Sequence, residues 1–262
     1  MRIATWNVNS IRLRLDNTLA WLKERQPDIV CLQEIKCQDD QFPREAFESA
    51  GYNVAVHGQK GFNGVAVLSR LPFDEVTSGL PGSNGDVQSR FIEVVVSTPD
   101  GVVRVCGLYL PNGNPVDSDK YPYKLEWMAR LKAHIAGRLA YEEPLVVCGD
   151  YNVIPEPADA ATPAAWVNDA LFLPQTRAAF RELTNLGLTD ALRATTDASG
   201  LYSFWDYQAG AWQKNNGIRI DHLLLSPQAA DRLKSVGIDK HVRSWEKPSD
   251  HVPVWADIAV RG

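Results

Sequence analysis

The chain has only four cysteines and five histidines among its 262 residues. That is too few, and too scattered, for a disulfide framework or a structural zinc site, which needs clustered thiolates or imidazoles. Cys31, Cys37, Cys106 and Cys148 contain no Cys-x-x-Cys pair, and three of them lie in apolar strand-like runs, so buried thiols are expected. No apolar run approaches the roughly 20 residues of a membrane span, and no membrane association is expected. Met1 to Trp6 enter a strand-like pattern directly, without the basic and apolar regions of a secretory leader, which points to the cytoplasm. A basic excess is lacking too. With 27 Lys and Arg against 32 Asp and Glu, the net charge is −5, which argues against broad adhesion to nucleic acid or anionic lipid but leaves room for a local basic groove. Fixed-period repeats and low-complexity tracts are also missing.

What remains is globular in composition, 45% hydrophobic and 23% charged, in a chain long enough to bury a substantial core. The proline- and alanine-rich stretch 155–165 reads as a surface loop, so one domain over 1–262, made of two similar halves, is expected. Strands are expected at 2–7, 29–32, 53–57, 64–68, 91–97, 102–110, 145–148, 202–207, 220–225 and 254–258. Helical spacing marks Leu15, Leu19 and Leu22, then 120–141, 176–186 and 227–233.

Several of these strands end in polar residues. Asn7 closes the first and Glu34 follows the second; Tyr109 ends the 102–110 run; Asp150 and Asn152 follow 145–148. Asp221 opens a later strand, and Ser249-Asp250-His251 precedes the last. Each alone is an ordinary cap or turn. Together, acids, carboxamides, a phenol and an imidazole are the parts of a site that binds a hard cation through oxygens and attacks a phosphodiester with activated water.

Trp6-Asn7-Val8-Asn9, Gln33-Glu34, Asn63-Gly64-Val65-Ala66, Gly149-Asp150-Tyr151-Asn152, Arg219-Ile220-Asp221 and Ser249-Asp250-His251 occur in that order. From Arg2 to Val254 the chain resembles the exonuclease III family of apurinic/apyrimidinic endonucleases, within the endonuclease/exonuclease/phosphatase fold. The resemblance implies a DNase I-like α/β fold: a four-layer α/β sandwich, two mixed β-sheets packed face to face with helices outside, and a site at one end. The implied enzyme is a Mg²⁺-dependent DNA repair nuclease, with Mn²⁺ able to substitute, that hydrolyses phosphodiester bonds 5′ to abasic sites and at 3′ ends. Its implied partner is double-stranded DNA with abasic sites or damaged 3′ ends, and a monomer is expected.

By the same resemblance Glu34 is the principal metal ligand with Asn7 beside it, while Asp150, Asn152, Asp250 and His251 could ligate a second or shifted ion. Asp150 would orient or deprotonate the attacking water and Asn152 would hydrogen-bond the phosphate. Asp221 and His251 form a pair in which the carboxylate fixes the tautomer and favours the imidazolium, so a phosphate clamp is preferred to a general base. Tyr109 would donate to the phosphate or the leaving oxygen. Arg90, Asn112, Lys120 and Lys124 lie in or near loops where phosphate contacts are expected, and Phe204, Trp212 and Ile218 match the pocket for an abasic sugar. Ile218 stands where some relatives have tryptophan, and Asn9 where some have aspartate. Two other readings stay open: a phosphoesterase of this fold acting on a lipid or inositol phosphate, and a non-catalytic nucleic-acid-binding regulator.

Overall fold

The computed structural model describes residues 1–83 and 85–260. In chain order the elements are β1 (Arg2–Asn7), α1 (Leu15–Arg25), β2 (Ile29–Gln33), α2 (Arg44–Ser49), β3 (Asn53–His57), β4 (Val65–Ser69), β5 (Glu75–Ser78), β6 (Phe91–Thr98) and β7 (Gly101–Tyr109). There follow α3 (Lys120–Leu139), β8 (Leu145–Asp150), α4 (Pro174–Thr184), β9 (Thr189–Asp190), β10 (Asp221–Leu225), α5 (Pro227–Ala230), β11 (Leu233–Ile238) and β12 (Val254–Ile258).

These strands form two six-stranded sheets, ordered β11-β12-β1-β2-β4-β3 and β5-β6-β7-β8-β10-β9. Each is mixed, with a single parallel pair at its centre, β1 with β2 and β7 with β8, and antiparallel pairs elsewhere. Both sheets therefore share one pairing pattern, although the first recruits β11 and β12 from the far end of the chain.

Alternation explains the near-continuous apolar runs. In β2, Ile29 and Cys31 face the core between the sheets, while Val30 and Leu32 join Trp6, Trp21 and Leu22 under α1. In β8, Val146 and Cys148 face that central core, and Leu145 and Val147 pack outward with Trp127, Met128 and Leu131 of α3. Helices thus cover the outer faces and complete the four layers. All four cysteines are buried and unpaired.

Two expected elements differ. Residues 202–207 are not a strand: Phe204 makes only isolated bridges, to Ile218 and to His251, because the segment crosses the sandwich end and joins neither sheet ladder. The helix expected over 227–233 stops at Ala230, and the chain turns into β11, which pairs with β12 along a partly exposed edge.

Candidate active site

The register of the two central strand pairs brings the polar strand ends to one rim. Asn7 is level with Gln33, so Glu34 lies one residue beyond it. In the other sheet Tyr109 is level with Asp150, and Asp150 with Asp221. Gly149 permits this approach, since a Cβ there would collide with the Leu108 carbonyl. The rims then touch: Asn7 Nδ2 donates to Glu34 Oε1 at 2.8 Å and to Asp150 Oδ2 at 2.9 Å.

Glu34, Asp150 and His251 offer ligand atoms that all lie within 4.8 Å of one another. Burial disfavours the Glu34 charge, but the hydrogen bond from Asn7 and the Lys36 and His251 charges outweigh it and lower its pKa. Asp150 is the opposite case. Burial, with the Asp221 and Glu34 charges, overcomes His251 and Asn7 and pushes it up to about 7. A cation between the two carboxylates would relieve that penalty, so these oxygen donors fit a hard divalent ion.

His251 sits between two carboxylates, its Nδ1 2.8 Å from Asp221 Oδ2 and its Nε2 3.5 Å from Asp150 Oδ2. Burial opposes its charge, yet Asp221 and Asp150 outweigh burial and raise its pKa to about 10. Glu34 and Asp150 contribute carboxylate oxygens to the group and His251 a ring nitrogen, so His251 stands with them as a candidate donor; in its protonated form the ring would instead present a positive charge to a phosphate. Asp221 is fixed in turn by Ser203 Oγ at 2.6 Å, while its Oδ1 is buried without a hydrogen-bond partner.

Two other expected ligands lie beside this group. Asn7 turns its Oδ1 to the Asn9 N–H at 3.0 Å, so it presents a donor to the carboxylates. Asp250 lies outside the Glu34, Asp150 and His251 group, its Oδ1 accepting from Asn9 Nδ2 at 3.3 Å.

Tyr109 faces the same cluster. Burial and the Glu34 and Asp150 charges raise its pKa well above the ordinary phenol value, keeping it a proton donor. Arg90 stacks over its ring at 4.8 Å and donates to its carbonyl at 3.2 Å. Asn152 is buried with φ of 48°, in the left-handed region where asparagine is tolerated. Its backbone N–H caps Asp150 Oδ1 at 2.9 Å and its Nδ2 donates to the Leu110 carbonyl at 2.8 Å, so one amide proton remains for a ligand.

Of the expected phosphate contacts, Asn112 and Lys120 are exposed, and Asn112 Nδ2 reaches Asn152 Oδ1 at 3.4 Å. Lys124 is not among them. It lies on the buried face of α3 and donates to the Asn152 carbonyl at 2.6 Å and the Asn112 carbonyl at 3.0 Å, out of reach of a surface phosphate. Phe204 packs edge-on against His251 with ring centroids 5.0 Å apart, and Trp212 packs on Trp205 at the same separation. Ile218 is only 2% exposed and belongs to a small apolar cluster with Ile154, Leu171 and Ile220, more core than open wall.

Three residues at the site carried no expected role. Lys36 places Nζ 3.2 Å from Glu34 Oε2 and 2.7 Å from Asn9 Oδ1; Glu34 and Lys36 lie beyond the end of β2 with φ of 49° and 55°, so strand alternation gave no signal for it. Ser203 orients Asp221. Ser249 Oγ donates to the Asn7 carbonyl at 2.7 Å, tying the His251 loop to β1.

Comparison with known proteins identifies the family and the fold. A model of the Endonuclease/Exonuclease/phosphatase family matches residues 4–251. Exodeoxyribonuclease III of Haemophilus influenzae is 35% identical over 98% of this chain and 99% of its own. An AP endonuclease from Archaeoglobus fulgidus superposes with a TM-score of 0.94 at 38% identity, covering 99% of this chain and 100% of that one. The 3′ phosphatase NExo from Neisseria, solved with a product DNA hairpin, superposes with a TM-score of 0.95 at 39% identity, covering 99% and 100%.

Proposed function

From the premise that the chain belongs to the endonuclease/exonuclease/phosphatase family, we propose that it is a DNA repair nuclease that hydrolyses phosphodiester bonds 5′ to abasic sites and at damaged 3′ ends of duplex DNA, with Mg²⁺ as its metal. It is an enzyme of the exodeoxyribonuclease III and AP endonuclease type. The observation that carries the reading is the meeting of Glu34, Asp150 and the Asp221-bound His251 at one rim, within reach of one phosphate.

Glu34 and Asp150 would hold the ion, which supplies Lewis-acid polarisation of the phosphate and lowers the pKa of bound water. The remaining chemistry belongs to the side chains. Asp150 would orient the attacking water and accept its proton. His251, held as an imidazolium by Asp221, provides a fixed positive charge for the phosphate oxygens as charge builds on them. Tyr109 and the free amide proton of Asn152 add neutral donors around the same group. Asn7 holds the two carboxylates at a set separation.

The substrate class is supported by the relatives, of which one is an exodeoxyribonuclease, one an AP endonuclease and one a 3′ phosphatase bound to product DNA. Among the described residues no helix is long and apolar enough to cross a membrane, and nothing in the site favours a lipid headgroup. Incubation with abasic, 3′-phosphorylated and plain duplexes tests the proposal. EDTA-sensitive processing of the first two is expected; no metal-dependent cleavage of any would refute it.

A further inference from the structure

The 201–217 loop, which carries Phe204 and Trp212, is tied to the His251 side of the site by Ser203 Oγ on Asp221 at 2.6 Å and by the Trp205 N–H on the Asp250 carbonyl at 2.9 Å, and to the loop after β1 by the Tyr207 phenol. Tyr207 Oη donates to the Pro248 carbonyl at 2.9 Å and accepts from Asn9 Nδ2 at 3.3 Å and from Arg14 Nη2 at 3.2 Å. Three chain segments therefore meet on one hydroxyl: the aromatic loop, the loop after β1, and the 246–250 loop that leads to His251. Arg14 reinforces the junction, donating from Nη1 to the Asn9 carbonyl, from Nη2 to the Pro248 carbonyl and from Nε to the Lys247 carbonyl.

Asn9 passes the restraint on. Its Nδ2 also donates to Asp250 Oδ1 at 3.3 Å, its Oδ1 accepts from Lys36 Nζ at 2.7 Å, and its N–H donates to Asn7 Oδ1 at 3.0 Å. Lys36 in turn contacts Glu34, and Asn7 contacts both Glu34 and Asp150. Asn9 and Ser10 have φ of 45° and 81°, the left-handed region that asparagine tolerates and serine seldom adopts. The ring of Tyr207 is half exposed under the Arg243 guanidinium at 5.1 Å, so it is open to a ligand lying along the loop.

We propose that Tyr207 is a positioning residue that couples the seating of duplex DNA on the 201–217 loop to cation affinity at Glu34 and Asp150, through its hydrogen bond to Asn9. The proposal rests on the nuclease reading above. A ligand that immobilises the loop fixes the phenol, and with it the Asn9 side chain that accepts from Lys36 beside Glu34, while the Asn9 backbone N–H holds Asn7. Linkage makes the effect reciprocal: a cation at the carboxylates must tighten DNA binding by the same factor by which DNA tightens the cation.

The test is a binding cycle with fluorescent abasic duplex as one probe and Ca²⁺ as the other, the duplex being checked for integrity on a gel. For the wild-type protein, Ca²⁺ should tighten DNA binding at least about fivefold relative to EDTA, the lower end of ordinary coupling. Tyr207→Phe should bind DNA in EDTA within about twofold of wild type, with an unchanged melting temperature, yet lose the Ca²⁺-induced gain; calorimetry should show weaker Ca²⁺ binding only when DNA is present. Adding Asn9→Ala to Tyr207→Phe should cost no further coupling, since both break one link. An equal Ca²⁺-induced gain in wild type and Tyr207→Phe overturns the coupling alone, as does a Tyr207→Phe protein that merely melts earlier and binds DNA worse in EDTA. Absence of duplex binding by the wild type, with or without Ca²⁺, overturns the nuclease reading as well.

Discussion

The His251 imidazole lies between two carboxylates, 2.8 Å from Asp221 Oδ2 through Nδ1 and 3.5 Å from Asp150 Oδ2 through Nε2. The pair of acids keeps the buried ring charged against the cost of burial, and its pKa rises to about 10. In the metal-free protein an NMR titration of His251 should therefore show a charged ring at neutral pH and a midpoint far above the ordinary value of about 6.5. Asp221→Asn removes the nearer charge and should lower that midpoint. A ring that titrates near 6.5 in the wild type would remove the phosphate clamp from the account.

Lys124 makes a second prediction. Its ammonium is buried and joins the Asn112 and Asn152 carbonyls, so it clamps the loop after β7 to the loop after β8. Lys124→Met should cost about 1–3 kcal/mol of stability by leaving the buried Asn152 carbonyl without its lysine donor, and should slow turnover because Asn152 loses one of its three anchors. Denaturant melts and kcat measured together check this; loss of DNA affinity with no change in stability would mean that the lysine contacts phosphate after all.

Glu93 sets an expected acid limit for the fold. Burial opposes its charge, but hydrogen bonds from His134 and Arg104 and the Arg138 charge prevail, lowering its pKa from 4.5 to about 2. The folded pKa lies below the unfolded one, so the ionised cluster stabilises the protein above the unfolded value, and that contribution is lost as pH falls from there through about 2. Thermal melts between these values should show a steep decline that Glu93→Gln flattens. Identical acid limbs in both proteins would place the proton-linked stability elsewhere.

The central strands were legible because both faces are buried, giving apolar runs such as Val30 to Leu32 and Leu145 to Cys148 that end where the polar rim begins. The edge strands were not. Every residue of β5 is exposed, and β11 is only partly buried, so neither carries a hydrophobic signal. Residue types announced the site, since Glu34, Asp150, Asp221 and His251 do converge, but hydrogen-bond direction could not be read: only the fold shows Asn7 turning its nitrogen to the acids. Lys124 was misread as a surface contact although Tyr121, Met128, Leu131 and Ile135 place it on a buried stripe at helical spacing. A lysine inside such a stripe needs acceptors, and the two that it finds lie on loops distant in sequence.

The central claim, that turnover depends on the Asp150 carboxylate, is tested most directly by Asp150→Asn, which keeps the shape and removes both the base and one of the two carboxylates proposed to hold the ion. Single-turnover incision of an abasic duplex in saturating Mg²⁺ should slow by about 10²–10⁴-fold, the range of general-base catalysis, while the Kd for the same duplex in EDTA shifts no more than about threefold, since an isosteric amide still fills the site. Equal losses in rate and affinity, or incision at the wild-type rate, would contradict the account.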